Sequence, residues 1–187
     1  AILKWNVLGF QIVVLMSLLH FGVGDSAFLN ELDRLKGISS SRLPTTFVVL
    51  AFGSIPVVLP LINSSSTSAL SQVNTNLIDW HQGFDQGLRS IVLALFIVAI
   101  AALVITKRFR DVIDLLLLTA LAVLTPPLIA FAVYFGCWHA MRHTARLTLV
   151  LPESLSAFEQ GNALKAFWSA VLPGTPALIG AFILAAG

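Results

Sequence analysis

The sequence predicts an all-α, polytopic transmembrane helix bundle of about five full spans and part of a sixth, and three observations carry that expectation. Hydrophobic residues make up 57% of the 187, and charged ones only 11%, against about 25% charged in an ordinary soluble domain. The apolar residues come in runs approaching the ~20 needed to cross about 30 Å of hydrocarbon. The charges collect in the short stretches between those runs. No polar stretch is long enough to fold by itself, so residues 1–187 read as a single integral membrane domain. The net charge of +2 is too small to argue for a nucleic-acid partner. One cysteine, Cys137, precludes an internal disulfide, and within an apolar run it reads as a small packing residue. Ala1 in place of a starting methionine, and the apolar run Ala181–Gly187 at the other end, suggest a fragment of a longer chain.

In chain order, the first span runs from Trp5 to Gly22 and closes on His20, with Asp25 just past it. Gly22 and Gly24 allow backbone or a ligand to approach closely. A loop from Ser26 to Leu43 carries Arg34, Lys36 and Arg42 against Glu31 and Asp33. Pro44 opens a second span, Thr45–Ile62, in which Pro56 and Pro60 predict a kink or break. Asn63–Asn76 is Ser, Thr, Asn and Gln without a charge and reads as a flexible polar loop. Asp79-Trp80-His81-Gln82 suits a helix start, with Asp79 as N-cap and Gln82 at N3, leading into a third span at Ser90–Thr106. Lys107, Arg108 and Arg110 precede a short apolar helix at Val112–Leu124, and Pro126-Pro127 separate it from a fifth at Pro127–Leu149. Glu153–Gln160 is amphipathic and suits the membrane interface. A last segment starts near Ala163 and bends at Pro173-Gly174-Thr175-Pro176.

The chemistry lies in the histidines. His139 and His143 stand four residues apart at the end of a stretch with no Asp, Glu, Lys or Arg between Asp114 and Arg142. Side chains at that spacing sit one turn apart on a helix, close enough for both imidazoles to reach one metal ion. The plain alternative is a pair of interfacial residues snorkelling beside Arg142 and Arg146. Loop charges decide depth: the basic stretches 26–43, 107–111 and Arg142–Arg146 go to the cytoplasm, and the loop 63–89 and the Pro126-Pro127 turn go outside. His20, His139 and His143 then fall at similar cytoplasmic depth, while His81 falls at the opposite face and reads as a solvated residue. Three imidazoles suit zinc, iron, copper or nickel. Asp25 is the carboxylate placed to orient His20, because a ligating imidazole commonly donates its other N–H. Phe131, Tyr134 and Phe135 lie ahead of His139, with Phe131 and Phe135 on its helical face, and they would wall an apolar tunnel for a lipid-soluble substrate.

Two blocks, His20-Phe21-Gly22-x-x-Asp25 and Tyr134-Phe135-x-x-Trp138-His139-x-x-Arg142-His143, with Pro126-Pro127 ahead of the second, resemble the Brp/Blh family of prokaryotic membrane β-carotene 15,15′-dioxygenases. The resemblance implies O2-dependent central cleavage of β-carotene, or a related carotenoid, into two molecules of retinal at a non-haem Fe(II). By motif, His20, His139 and His143 would be its ligands. The implied partners are the carotenoid, O2 and the lipid bilayer, with no nucleic acid. The implied location is the prokaryotic cell (inner) membrane, the metal site toward its cytoplasmic half. The family's Pro-His-Gly-x-x-Asp motif and its Pro-His segment near the C-terminus do not occur in this sequence. Two other readings compete: a membrane di-iron desaturase or hydroxylase, which needs many more than four histidines, and a non-enzymatic transporter or structural bundle, which needs no metal.

Overall fold

The computed structural model describes residues 2–37, 43–176 and 179. Arg42 of the first basic loop and the terminal run Ala181–Gly187 lie outside the described residues. In order come α1 (Ile2–Leu35), α2 (Thr45–Leu61), α3 (Thr67–Val73), α4 (Asp85–Ile105), α5 (Phe109–Leu124) and α6 (Pro127–Val133). A π-helical turn (Tyr134–His139) precedes α7 (Ala140–Leu147), α8 (Pro152–Glu159) and α9 (Ala163–Val171). No strand occurs among the described residues. The chain divides into two compact units, Ala1–His139 and Ala140–Gly187.

Helix α2 is the core of the first unit, packed against α1, α4, α5 and α6. Its Val48, Ala51, Phe52 and Ile55 have no exposed surface, so it is apolar on all sides for a physical reason: every face meets another helix. Two glycines set its distance from α1. A methyl group at Gly22 would stand 1.9 Å from the Val49 carbonyl oxygen, and one at Gly53 would stand 2.0 Å from that of Leu18. Only hydrogen fits at either place, and the two backbones touch as small residues allow in apolar bundles. Pro56 and Pro60 lie inside α2, as the sequence suggests, without ending it. The Arg89 guanidinium on α4 donates to the Ile62 carbonyl at 2.7 Å and satisfies one of the last carbonyls of α2.

Among the described residues two helical stretches, Asn6–Leu35 and Asp85–Ile105, are long and apolar enough to cross a membrane. Thr45–Leu61 and Ser64–Gln72, bent by 64°, make a third if that pair is one span. The outward faces agree with lipid contact: Ile12, Val13, Leu15 and Met16 on α1, and Leu93 and Ile97 on α4, are all more than half exposed.

Several boundaries differ from the sequence reading. The first helix does not stop at Gly22 but continues to Leu35, because the polar residues beyond it find partners inside the bundle. Asp25 and Asp33 are buried, the first accepting from the Tyr134 hydroxyl and the second from Arg108. Asn63–Asn76 is ordered rather than a flexible loop: Asn63 and Asn74 cap short 3-10 turns and α3 lies between them. Asp79 starts no helix. Its carboxylate accepts from the Gly83 N–H at 2.9 Å in a turn where Gln82 has φ 53°, and α4 begins only at Asp85. Cys137 is exposed on the π-helical turn and packs in no core.

In the second unit, α8 and α7 both pack on α9, and Ala157, Ala166 and Ala170 are buried. Pro152 opens α8 at its first turn, where its missing N–H costs nothing, and the Asn162 side chain caps α9 by accepting from the Lys165 N–H.

Candidate metal centre and apolar cavity

The site of the first unit forms where α1 meets the π-helical turn. A π-helical turn inserts one residue into an α-helix, so the residues four and five before a position both come beside it. Around His139 those residues are Phe135 and Tyr134. Their ring centres lie 6.1 Å and 6.1 Å from that of His139, Phe135 stacked at 26° and Tyr134 tilted at 34°. An uninterrupted α-helix would turn Tyr134 away from this face.

His20 on α1 faces the same imidazole, the two ring centres 5.4 Å apart and their planes at 60°. Phe21 covers His139 from the side at 4.6 Å and also touches Tyr134 at 5.4 Å. Gly24, one helical turn beyond His20 on the same face, leaves the room that His139 occupies: a methyl group there would be 3.2 Å from His139 Cε1. His139 and Tyr134 are buried, whereas His20 is exposed. The Tyr134 hydroxyl donates to Asp25 Oδ2 at 3.4 Å. The carboxylate expected to orient His20 thus meets the phenol of Tyr134. Five positions along one helix put Asp25 well round from His20, about 140° away.

His143 falls on α7, in the second unit, and is exposed. His81 lies 3.5 Å from Asp79, beside Trp80. Trp80 packs on Phe10 at 5.8 Å and its carbonyl accepts from Gln11. Phe10 is roughly 15 Å along α1 from His20, so His81 belongs to the other end of that helix.

The donor set can be tested against a metal. Two imidazole nitrogens each about 2.0–2.2 Å from one ion place their ring centres at a separation of the order that His20 and His139 show. The separation of the two ring centres is compatible with both imidazoles reaching one ion. Among the described residues no group of three or more His, Cys, Asp or Glu is arranged to hold a metal.

Along α1 from the pair, between Phe10 and Ser17, is a cavity of about 270 Å³ lined almost wholly by apolar groups, among them Phe10, Val14, Val57, Pro60, Leu128 and Phe131, and by neither histidine. Phe131 stacks on Phe135 at 6.0 Å and 14°, and Phe135 stacks on His139. A file of three rings thus leads from the cavity wall to the imidazole.

A direct comparison now adds to this geometry: residues 2–187 match the family model for beta-carotene 15,15'-dioxygenase. The chain belongs to that family. No curated protein and no solved structure matched it.

For a member of the beta-carotene 15,15'-dioxygenase family, the structure brings His20, His139, Phe135 and Tyr134 together and sets Phe131 in the cavity. Tyr134 lines no part of that cavity; it is fully buried against Phe21 and Asp25. Two contributors carry little sequence signal. Phe21 belongs to the first motif block but is given no role by it, and the α2 wall formed by Val57, Pro60 and Leu61 belongs to a helix with no motif. Gly24 does carry a signal: a glycine one turn after a histidine, on its face, marks a place where something large approaches.

Proposed function

We propose that this chain forms the cleavage centre of an O2-dependent enzyme that splits β-carotene, or a related carotenoid, at its central double bond into two molecules of retinal. His20 and His139 are two ligands to Fe(II). His143 is the third donor on sequence spacing and the family resemblance alone. One observation carries the reading: the file Phe131, Phe135, His139 joins an apolar cavity to a pair of facing imidazoles.

Bound Fe(II) would supply the O2 chemistry, and the two atoms of one O2 become the two aldehyde oxygens. The chain's own residues position and shield. The cavity, about 270 Å³, is near the low end of ligand pockets, ~300–1,000 Å³, so it takes one arm of a forty-carbon polyene. Its lining offers no charge, so the arm is held by shape and apolar contact. Phe135, stacked between Phe131 and His139, stands at the inner end and fixes how far the polyene enters. Phe21 and Tyr134 keep water from the buried side of His139. The Tyr134–Asp25 hydrogen bond ties α1 to the π-helical turn, and so holds the spacing between His20 and His139.

With this goes the topology expected from the sequence: about five crossings and part of a sixth, the loop at Lys107–Arg110 cytoplasmic and the Pro126-Pro127 turn outside, in a prokaryotic inner membrane. The test uses the protein carrying this chain, expressed in bacterial cells that make β-carotene. Retinal is measured in the extract and iron in the purified protein. His20→Ala and His139→Ala should each lose both, and the unaltered protein should hold one iron per chain. Two irons would favour a di-iron desaturase or hydroxylase. Undiminished retinal in either variant would overturn the assignment of the pair.

A further inference from the structure

A second cavity, about 340 Å³, opens at the far end of α1, where that helix meets the α4–α5 connection. Its polar lining is Asp33, Lys36, Thr106, Lys107, Arg108, Arg110 and Asp111, and Leu29, Leu32 and Phe109 complete it. Four cations against two carboxylates leave an excess of two positive charges in one small space.

The arrangement is built around Arg108. Its side chain is only 8% exposed, and two carboxylates hold it in place, Nη1 donating to Asp33 Oδ2 at 2.6 Å and Nε to Asp111 Oδ2 at 2.5 Å. A guanidinium carries five N–H donors. Asp33 and Asp111 take two of them, through Nη1 and Nε, and Arg108 also lines the cavity. Since both carboxylates are engaged with Arg108, the charge open to a ligand comes from Lys36, Lys107 and Arg110. Lys107 has φ 59°, a left-handed conformation that a lysine adopts at a cost, and it sits on the cavity's rim. The first turn of α5 opens here without a side-chain cap, so its N–H groups add to the positive potential.

The level of the cavity identifies the ligand. Lys36 and Lys107 follow the ends of the two membrane-length helices, Leu35 and Ile105. Apolar surface continues from the rim along the bundle: Ile105 is 79% exposed, Phe109 60% and Ile113 56%. A charged pocket at the end of spanning helices, continuous with a bare apolar face, suits a molecule with an anionic head and apolar chains. We infer that this cavity binds the phosphate of an anionic phospholipid, gripped by Arg108, Lys36, Lys107 and Arg110, with its acyl chains along α4 and α5.

The test measures lipid retention by native mass spectrometry on the detergent-purified protein, offered phosphatidylglycerol and phosphatidylcholine in equal amounts. The triple variant Lys36→Gln, Lys107→Asn, Arg110→Gln removes the three open cations and leaves Arg108 and its carboxylates intact. Asn suits the left-handed backbone at position 107. The unaltered protein should retain phosphatidylglycerol in preference. In the variant that preference should fall by roughly a hundredfold, the loss expected for three interfacial cations. Lys165→Gln, a charge removed from the second unit, should change nothing. A parallel thermal-shift series with inorganic phosphate separates headgroup from free ion. Stabilisation by phosphate without preferential retention of phosphatidylglycerol would overturn the lipid assignment. Equal retention of the two lipids, or the same preference in the triple variant, would overturn the site.

Discussion

Gly24 offers a direct way to move His139 without touching it. In Gly24→Ala the new methyl carbon would lie 3.2 Å from His139 Cε1 and 3.8 Å from Nδ1, so the ring must yield by a few tenths of an ångström. It has little room to do so, with Phe21 at 4.6 Å and Phe135 stacked behind it. Overpacking of this kind costs typically ~1–3 kcal/mol, and the single close contact argues for about 1. A metal ligand tolerates displacement poorly, since metal–nitrogen distances hold within about 0.2 Å. Iron content and retinal formation should therefore fall while the fold survives. Gly22→Ala, two residues away, should do the opposite: its methyl would be 1.9 Å from the Val49 carbonyl, so two backbones must part and stability falls by roughly 3 kcal/mol or more. Gly9→Ala, with nothing within 4 Å, should be neutral or stabilise by up to about 1 kcal/mol through helix propensity. The assay is thermal unfolding in detergent beside iron and retinal determination on all three variants. If Gly24→Ala melted as low as Gly22→Ala, or kept full iron and full turnover, the packing of His139 on Gly24 would not control the site.

Three further outcomes follow from the same geometry. Phe131→Trp fills part of the 270 Å³ cavity and should cut retinal formation severalfold with iron content intact; loss of iron in step with turnover would mean that Phe131 supports the metal rather than the substrate. Arg108→Gln leaves Asp33 and Asp111 buried without their cation and should cost about 3–5 kcal/mol at neutral pH, read by thermal unfolding. Burial already pushes the Asp111 carboxyl above its ordinary value, with Arg108 opposing, so removing Arg108 raises it further. A carboxyl raised on folding favours the folded state below its unfolded pKa, an advantage lost as pH rises through the folded value. The deficit of the variant should therefore shrink as pH is lowered toward 4, and a deficit constant with pH would count against an electrostatic origin. A cysteine placed at Pro126 in a Cys137→Ser background should label from outside the cell; labelling from the cytoplasm alone would reverse the topology.

Composition and spacing were enough for the helical class, the apolar helices and the break at Pro126-Pro127, because each depends on local hydropathy and backbone chemistry. The same is true of the two histidine blocks: their residue types announce chemistry wherever the chain places them. What the tertiary structure decided are matters of partnership. Asp25, Ser26 and Asp33 read as the start of a polar loop, yet α1 runs on to Leu35, since a carboxylate can enter a bundle once Tyr134 or Arg108 is there to meet it. Those partners lie 109 and 75 residues away, beyond any local window. The π-helical turn is likewise absent from the pattern. Helical spacing of about 100° per residue allows Phe135 beside His139, but only the inserted residue brings Tyr134 there as well. Gly24 shows the division most plainly. The sequence says that something can approach closely at that point, and only the packing of α1 against the turn at Tyr134–His139 makes that something an imidazole.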